Sequence, residues 1–203
     1  MKKKILVTGS TKGIGLQIAL KLKKQGNHVV INGRNKKRAF QVNRKFNFKG
    51  IAIGDLSKEK NAKLVVKKCI SILGGLDVLI CNAGESKSSK PNSERFRDWK
   101  KMFEQNFFSA TNIIESSKKY LIKSRGLIIG ISSAAGSKVL RGAPITYSTS
   151  KAALNYYLQS LSLYMGDKGV RVNIISPGNI MFAGSTWEKK LKKNRSKIKK
   201  LIT

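Results

Sequence analysis

Acidic side chains are scarce in this chain: ten aspartates and glutamates face 42 lysines and arginines, a formal charge of +32. Such a field attracts nucleic acid, anionic lipid or an acidic protein partner. The cations are scattered through every segment and concentrate only at 189–200. They read as solvated helix faces, with nonspecific anion attraction as a side effect. Cysteine is limited to Cys69 and Cys81, without metal-ligand spacing. This excludes a disulfide framework or a zinc module, suits a reducing cytoplasm, and leads us to expect no metal. The single histidine, His28, opens an apolar run and reads as a structural residue. No apolar run approaches the length needed to cross a bilayer, so no membrane association is expected. Lys2-Lys3-Lys4 precedes Ile5-Leu6-Val7, but that run stops at Thr8-Gly9, too short for the core of an export signal. Neither an internal repeat nor a linker interrupts the 203 residues, enough for one domain with a sizeable core.

What is present is organised around residues 4–25. Ile5, Leu6 and Val7 read as a strand buried on both faces. Glycines follow at 9, 13 and 15, and from Ile14 the apolar residues take helical spacing: Leu16, Ala19, Leu20 and Leu22, with Ile18 beside them. Gly26 stands where a C-terminal cap belongs. A strand, a glycine turn and a helix N-terminus form a dinucleotide site, where free N–H groups and the helix dipole face a diphosphate.

Further along, His28–Ile31, Gly50–Ile53, Leu76–Ile80, Gly126–Ile131 and Val170–Ile175 read as strands, separated by helical segments. This alternation predicts an α/β fold with a parallel sheet. Residues 35–48 read as a short basic helix, and Ser57 as the cap of the helix that ends near Gly74-Gly75. Residues 93–123 read as one helix with Phe96, Trp99, Met102 and Phe103 on one face. At the end of the second strand an acid would bind a free ribose 2′-hydroxyl; here Arg34 stands there instead, with Lys12 in the glycine loop as a second cation. By charge this favours NADP(H) over NAD(H).

Tyr147 and Lys151 are four apart on a long helix and share a face. An ammonium beside a phenol favours the phenolate and suits the pair to general acid–base work. Tyr164 and Lys168 repeat the spacing, but at the far end of that helix. Ser133, or its neighbour Ser132, can hold a substrate oxygen at the end of the fifth strand.

The wording Thr8-Gly-Ser-Thr-Lys-Gly-Ile-Gly15, Cys81-Asn-Ala-Gly84, Asn106, Ile131-Ser-Ser133 and Tyr147-Ser-Thr-Ser-Lys151 resembles that of the short-chain dehydrogenases/reductases, nearest to the 3-oxoacyl-acyl-carrier-protein reductase type. The resemblance covers residues 1 to about 183. It implies a doubly wound Rossmann-type sheet of strand order 3-2-1-4-5-6, over a domain at 1–185 followed by a basic tail at 186–203. It implies hydride transfer between NADP(H) and a carbonyl or secondary alcohol, with Ser133 chosen over Ser132. Asn106, Ser133, Tyr147 and Lys151 are then catalytic. Gly9, Ser10, Lys12, Gly13, Ile14 and Gly15 contact the cofactor, as do Arg34, Asp55, Leu56, Asn82, Ala83 and Gly84. Tyr147, Lys151, Pro177, Gly178 and Ile180 complete the cofactor contacts.

Three departures from the family pattern shape the expectations. Cys81 replaces an asparagine. Phe182 stands where a threonine commonly binds the nicotinamide amide, leaving Ser185 or Thr186 as substitutes. The family's seventh strand and substrate-loop helix are not recognisable, so the chain reads as shortened at its C-terminus. The sixth strand is then an exposed edge, activity is expected to be low or nil, and the family's tetramer is doubtful while a homodimer survives. The expected partner is a small carbonyl or alcohol, free or borne on an acidic acyl carrier protein. The alternative is a catalytically impaired, cofactor-binding member or scaffold. Specific nucleic-acid binding is not expected, for want of a recognised motif or a basic helix interleaved with aromatics.

Overall fold

The computed structural model describes residues 2–181, together with Glu188 and Leu191. The expectations for Phe182, Ser185, Thr186 and the 185/186 boundary, and with those two exceptions the tail, lie outside the described residues. Strands β1 (Lys4–Val7), β2 (His28–Gly33), β3 (Gly50–Ile53), β4 (Val78–Cys81), β5 (Leu127–Ile131) and β6 (Arg171–Ile175) alternate with helices. They form one six-stranded sheet in the order β3-β2-β1-β4-β5-β6, every pair parallel, as expected.

The period-2 pattern of β1 divides the core between the two faces. Leu6, Val30, Leu79 and Ile128 point to one side, where α3 (Glu59–Leu73), α5 (Ser109–Ser124) and α6 (Ile145–Gly166) supply Val65, Cys69, Ile113, Leu121, Leu154 and Leu158. Ile5, Val7, Val29 and Ile31 point to the other, against α1 (Gly13–Lys24) and α2 (Lys36–Phe46) through Leu16, Ile18, Leu20, Val42 and Phe46. Burying each of these large side chains contributes roughly 1.5–3 kcal/mol. Among the described residues β6 lies at the sheet edge, and Arg171, Asn173 and Ile175 are exposed on the side shared with Ile129 and Ile131.

Three local expectations are corrected. The cap of α3 is Lys58, without a side-chain bond; the Ser57 N–H is instead taken by Asp55 Oδ1 at 3.0 Å, so Ser57 finishes the preceding turn. The helix expected at 93–123 begins at Phe96, which is exposed, where the Asp98 carboxylate accepts the Arg95 N–H. It is also not continuous. α4 (Phe96–Phe103) runs into a π-helical turn at Glu104–Phe108 before α5 starts. A π turn inserts one residue into the helical ladder and rotates the helix beyond it, which is how Asn106 comes to face inward.

Candidate active site

The glycine turn after β1 is clamped onto the turn after β4. Thr8 Oγ1 accepts the N–H groups of Asn82 and Ala83 at 2.9 and 3.0 Å and donates to the Ile80 carbonyl at 3.1 Å. Asn82 Nδ2 returns bonds to the carbonyls of Thr8 and Gly9 at 3.0 and 3.1 Å. The fit leaves no room for side chains. Gly9 has φ +59°, and a Cβ there would come within 2.8 Å of Ala83 Cα; a Cβ on Gly15 would lie 2.7 Å from the Gly9 carbonyl and against the Asn82 amide. Glycine at these positions therefore lets two strand ends approach each other and brings the N-terminus of α1 up to them.

That N-terminus suits an anion. Lys12 precedes it in an extended conformation, no side chain caps it, and no acid stands in its first turn. Its first N–H groups are thus left for a phosphate. Ser10, expected among the cofactor contacts, turns inward. It is fully buried, donating to the Val7 carbonyl at 2.6 Å and accepting the Asn32 N–H at 3.0 Å, so it shapes the loop. Asn32, which lies in β2 just past the strand expected at His28–Ile31, was not singled out in the sequence. Its Oδ1 accepts from Gly9 N at 3.2 Å and its Nδ2 donates to the Ala52 carbonyl at 2.9 Å, tying together the ends of β1, β2 and β3.

Arg34 leaves the end of β2, donates to Gln105 Oε1 at 2.8 Å and lies 4.0 Å from Asp55 Oδ2. Its side chain is 59% exposed, so this pairing is weak and yields readily to a better anion. Leu56 is buried, its carbonyl accepting from Asn112 Nδ2 at 3.0 Å. On the other side of the turn, Gly13, Ile14, Gln17 and Ile18 face Pro177, Ile180 and Met181 across an open apolar cleft of about 250 Å³. The expected contacts Gly13, Ile14, Pro177 and Ile180 thus share one cleft. Gln17, Ile18 and Met181 join them unforeseen.

The four expected catalytic side chains converge at the ends of β4 and β5. Asn106 is fully buried; its Oδ1 accepts from Glu85 N at 2.8 Å, and its Nδ2 donates to the Glu85 carbonyl at 3.0 Å and to Ser150 Oγ at 2.9 Å. Ser150 donates in turn to the Tyr147 carbonyl at 2.8 Å. Gly84 sits between the two halves, since a Cβ there would lie 2.7 Å from Asn106 Oδ1 and 3.6 Å from Lys151 Nζ. Glu85 and Ser150 were not singled out in the sequence, although Ser150 precedes Lys151. Ser133 stands close enough to the Tyr147 phenol to act on it, whereas Ser132 is buried with its hydroxyl toward the Lys151 carbonyl at 3.4 Å. Of the two serines it is therefore Ser133 that meets Tyr147. Tyr164, the other tyrosine at this spacing, is 72% exposed on the surface.

The electrostatics differ from the simple expectation for a phenol beside an ammonium. Burial raises the Tyr147 phenol above its ordinary range, and the nearby Ser133 hydroxyl draws it part of the way back. Lys151 is itself buried, which pulls its ammonium down to about 8, and its Nζ is held 2.8 Å from the Ile131 carbonyl. The lysine is turned toward the strand end, so desolvation dominates the phenol. Cys81 lies close enough to Lys151 to be influenced by it, but burial still raises its thiol to about 12, leaving it a neutral, unreactive core residue.

Known proteins resemble this chain in sequence and fold. Residues 3–194 match the family model described as short chain dehydrogenase. Glucose 1-dehydrogenase of Gluconobacter oxydans is 33% identical over 186 residues, which covers 88% of this chain and 70% of that protein. The 3-oxoacyl-acyl-carrier-protein reductase of Aquifex aeolicus is 33% identical over 182 residues, covering 86% of this chain and 73% of that one. The crystal structure of L-sorbose reductase from Gluconobacter frateurii, complexed with NADPH and L-sorbose, superposes with a TM-score of 0.85 at 27% identity, covering 98% of this chain and 79% of that one.

Proposed function

This chain belongs to the short-chain dehydrogenase family of oxidoreductases, and from that premise we propose that it is an NADP(H)-dependent reductase interconverting a small carbonyl compound and its secondary alcohol. The observation that carries the reading is the convergence of Tyr147, Ser133, Lys151 and Asn106 beside the glycine turn.

A dinucleotide bound at the glycine turn would supply or accept the hydride. Tyr147 gives its phenolic proton to the carbonyl oxygen during reduction, while Ser133 donates a hydrogen bond to the same oxygen as negative charge develops. A phenol raised by burial keeps that proton at neutral pH, but it gives the proton up less readily than a free tyrosine and needs help in the transition state. The Lys151 ammonium, charged below about pH 8, turns from the Ile131 carbonyl toward the phenol to stabilise the tyrosinate left behind. Asn106 acts through Ser150 and the backbone of Glu85, fixing the N-terminal turn of α6 against the π turn. Gly13, Ile14 and Gly15 hold the diphosphate at the start of α1. Asn82, Ala83 and Gly84 line its path, with Asp55 and Leu56 at the adenine end and Pro177, Gly178 and Ile180 at the nicotinamide end. Arg34 and Lys12 select the 2′-phosphate, Arg34 releasing Gln105 and Asp55 to do so. Exposed Tyr156, Leu163 and Tyr164 on α6 support a homodimer through that helix. Two free thiols support a cytoplasmic location.

Calorimetric titration of NADPH and NADH into the wild-type chain and Arg34→Asp, followed by turnover with a panel of ketones, tests the proposal. NADPH should bind at least tenfold more tightly than NADH, and Arg34→Asp should erase that preference. Equal affinities in the wild type would remove the assignment of the cofactor. No turnover with any carbonyl substrate despite tight NADPH binding would remove the assignment of the reaction.

A further inference from the structure

Residues 1–54 contain 14 lysines and arginines and no acid; all ten acids of the chain follow. The fold turns this sequence asymmetry into a surface, because α1 and α2 pack side by side on one face of the sheet. Lys23 Nζ of α1 donates to the Phe46 carbonyl of α2 at 2.6 Å, so the two helices are joined at their C-terminal ends. The opposite face is different: there Lys63 pairs with Glu59 on α3, and Lys118 with Glu115 on α5.

Helix stability accounts for only some of these cations. Lys21, Lys23 and Lys24 on α1, and Arg44 and Lys45 on α2, lie in last turns where the helix dipole favours positive charge. Lys36, Lys37 and Arg38 lie in the first turn of α2, where the dipole opposes it, and no acid accompanies them. Phe40 is the second anomaly. It is 53% exposed, while Ala39, Val42 and Phe46 supply the inward face of the helix. Lys36, Phe40 and Arg44 follow one another at four-residue spacing along the exposed side, a stripe about 12 Å long at 1.5 Å per residue. The outward direction of Phe40 is not evident from the sequence, where the segment reads only as a short basic helix.

An aromatic ring flanked by cations fits an unpaired base with its phosphates. A bilayer surface would require a broad apolar face, and that of α2 is already used against the sheet. An acidic protein would use the cations and leave Phe40 without a role. We propose that the outer surface of α1 and α2 binds single-stranded nucleic acid without sequence preference, Lys37, Arg44 and Lys45 meeting phosphates and Phe40 stacking on a base.

The probe is a labelled 20-nucleotide oligouridylate, titrated into the full chain over a range of salt concentrations. Lys37→Gln/Arg44→Gln/Lys45→Gln should weaken binding and lower the slope of log affinity against log salt by about 2, at about 0.7 for each phosphate no longer neutralised. Phe40→Ala should weaken oligouridylate binding roughly tenfold and leave binding of a duplex of equal length unchanged, with Phe40→Trp restoring it. The control Lys60→Gln/Lys67→Gln/Lys68→Gln, on α3, should have little effect, and saturating NADPH should not displace the strand. An equal loss in the control would reduce the effect to net charge and overturn the proposal. So would unchanged binding by Phe40→Ala, displacement by NADPH, or tighter binding of polyglutamate or phosphatidylglycerol vesicles than of oligouridylate.

Discussion

Replacing Lys151 by methionine should make this protein more stable while removing its proposed activity. The side chain is 5% exposed, and burial lowers its ammonium from 10.5 to about 8. At 1.36 kcal/mol for each pH unit, keeping the charge inside costs the fold about 3 kcal/mol at pH 7. Methionine fills much of the same volume without that cost, but it leaves the Ile131 carbonyl without its 2.8 Å partner, a loss of about 1 kcal/mol. The net gain is about 2 kcal/mol, a rise in Tm of about 5 °C for a chain of this length. The pH dependence gives the sharper signature. A lysine with a depressed folded pKa is a full burden below pH 8, and the burden fades as pH rises toward its unfolded value near 10.5. Wild type should therefore gain on the variant between pH 8 and 10.5, and the gap should close. Urea unfolding of both proteins at pH 7, 8.5 and 10 measures this, the comparison cancelling all other titrations. A variant less stable than wild type at pH 7, or a gap that does not change with pH, would refute the reasoning.

Gly15→Ala should cost about 2–3 kcal/mol, since the new methyl group must displace the Asn82 amide and its two bonds to the glycine turn; chemical denaturation measures the loss, and NADPH affinity should fall with it. The raised Tyr147 phenol predicts that carbonyl reduction holds its rate from pH 6 to 8, whereas alcohol oxidation, which needs the phenolate, climbs with alkali. Initial rates in both directions across that range test it. Tyr164→Phe, on the surface, should leave both profiles unaltered.

Much of the fold was legible because its signals are local. An apolar run ended by glycines, followed by helical spacing, identifies β1 and α1 from adjacent residues, and repeated alternation makes a parallel sheet the natural arrangement. Tyr147, Ser133 and Asn106 were legible through family wording, which carries tertiary information that periodicity lacks. What escaped the sequence depends on distant partners. Asn32 becomes a clamp only when Gly9 and Ala52 arrive beside it. The π turn at Glu104–Phe108 leaves no break in the apolar pattern, so α4 and α5 read as one helix. Ser57 has the right residue type for a cap, but Asp55 takes its N–H first. The direction of the Lys151 amine depends on the Ile131 carbonyl, twenty residues away.

Transfer of deuterium from 4-deuterated NADPH to the carbonyl carbon of a reduced ketone, followed by mass spectrometry in wild type and Tyr147→Phe, tests the central claim most directly. The account predicts labelled alcohol from the wild type. It predicts at least a thousandfold less from Tyr147→Phe, as expected when the general acid and its orienting hydrogen bonds are lost together, with NADPH affinity unchanged. Labelled alcohol formed equally by both proteins would contradict it, because the proton would then come from somewhere other than Tyr147.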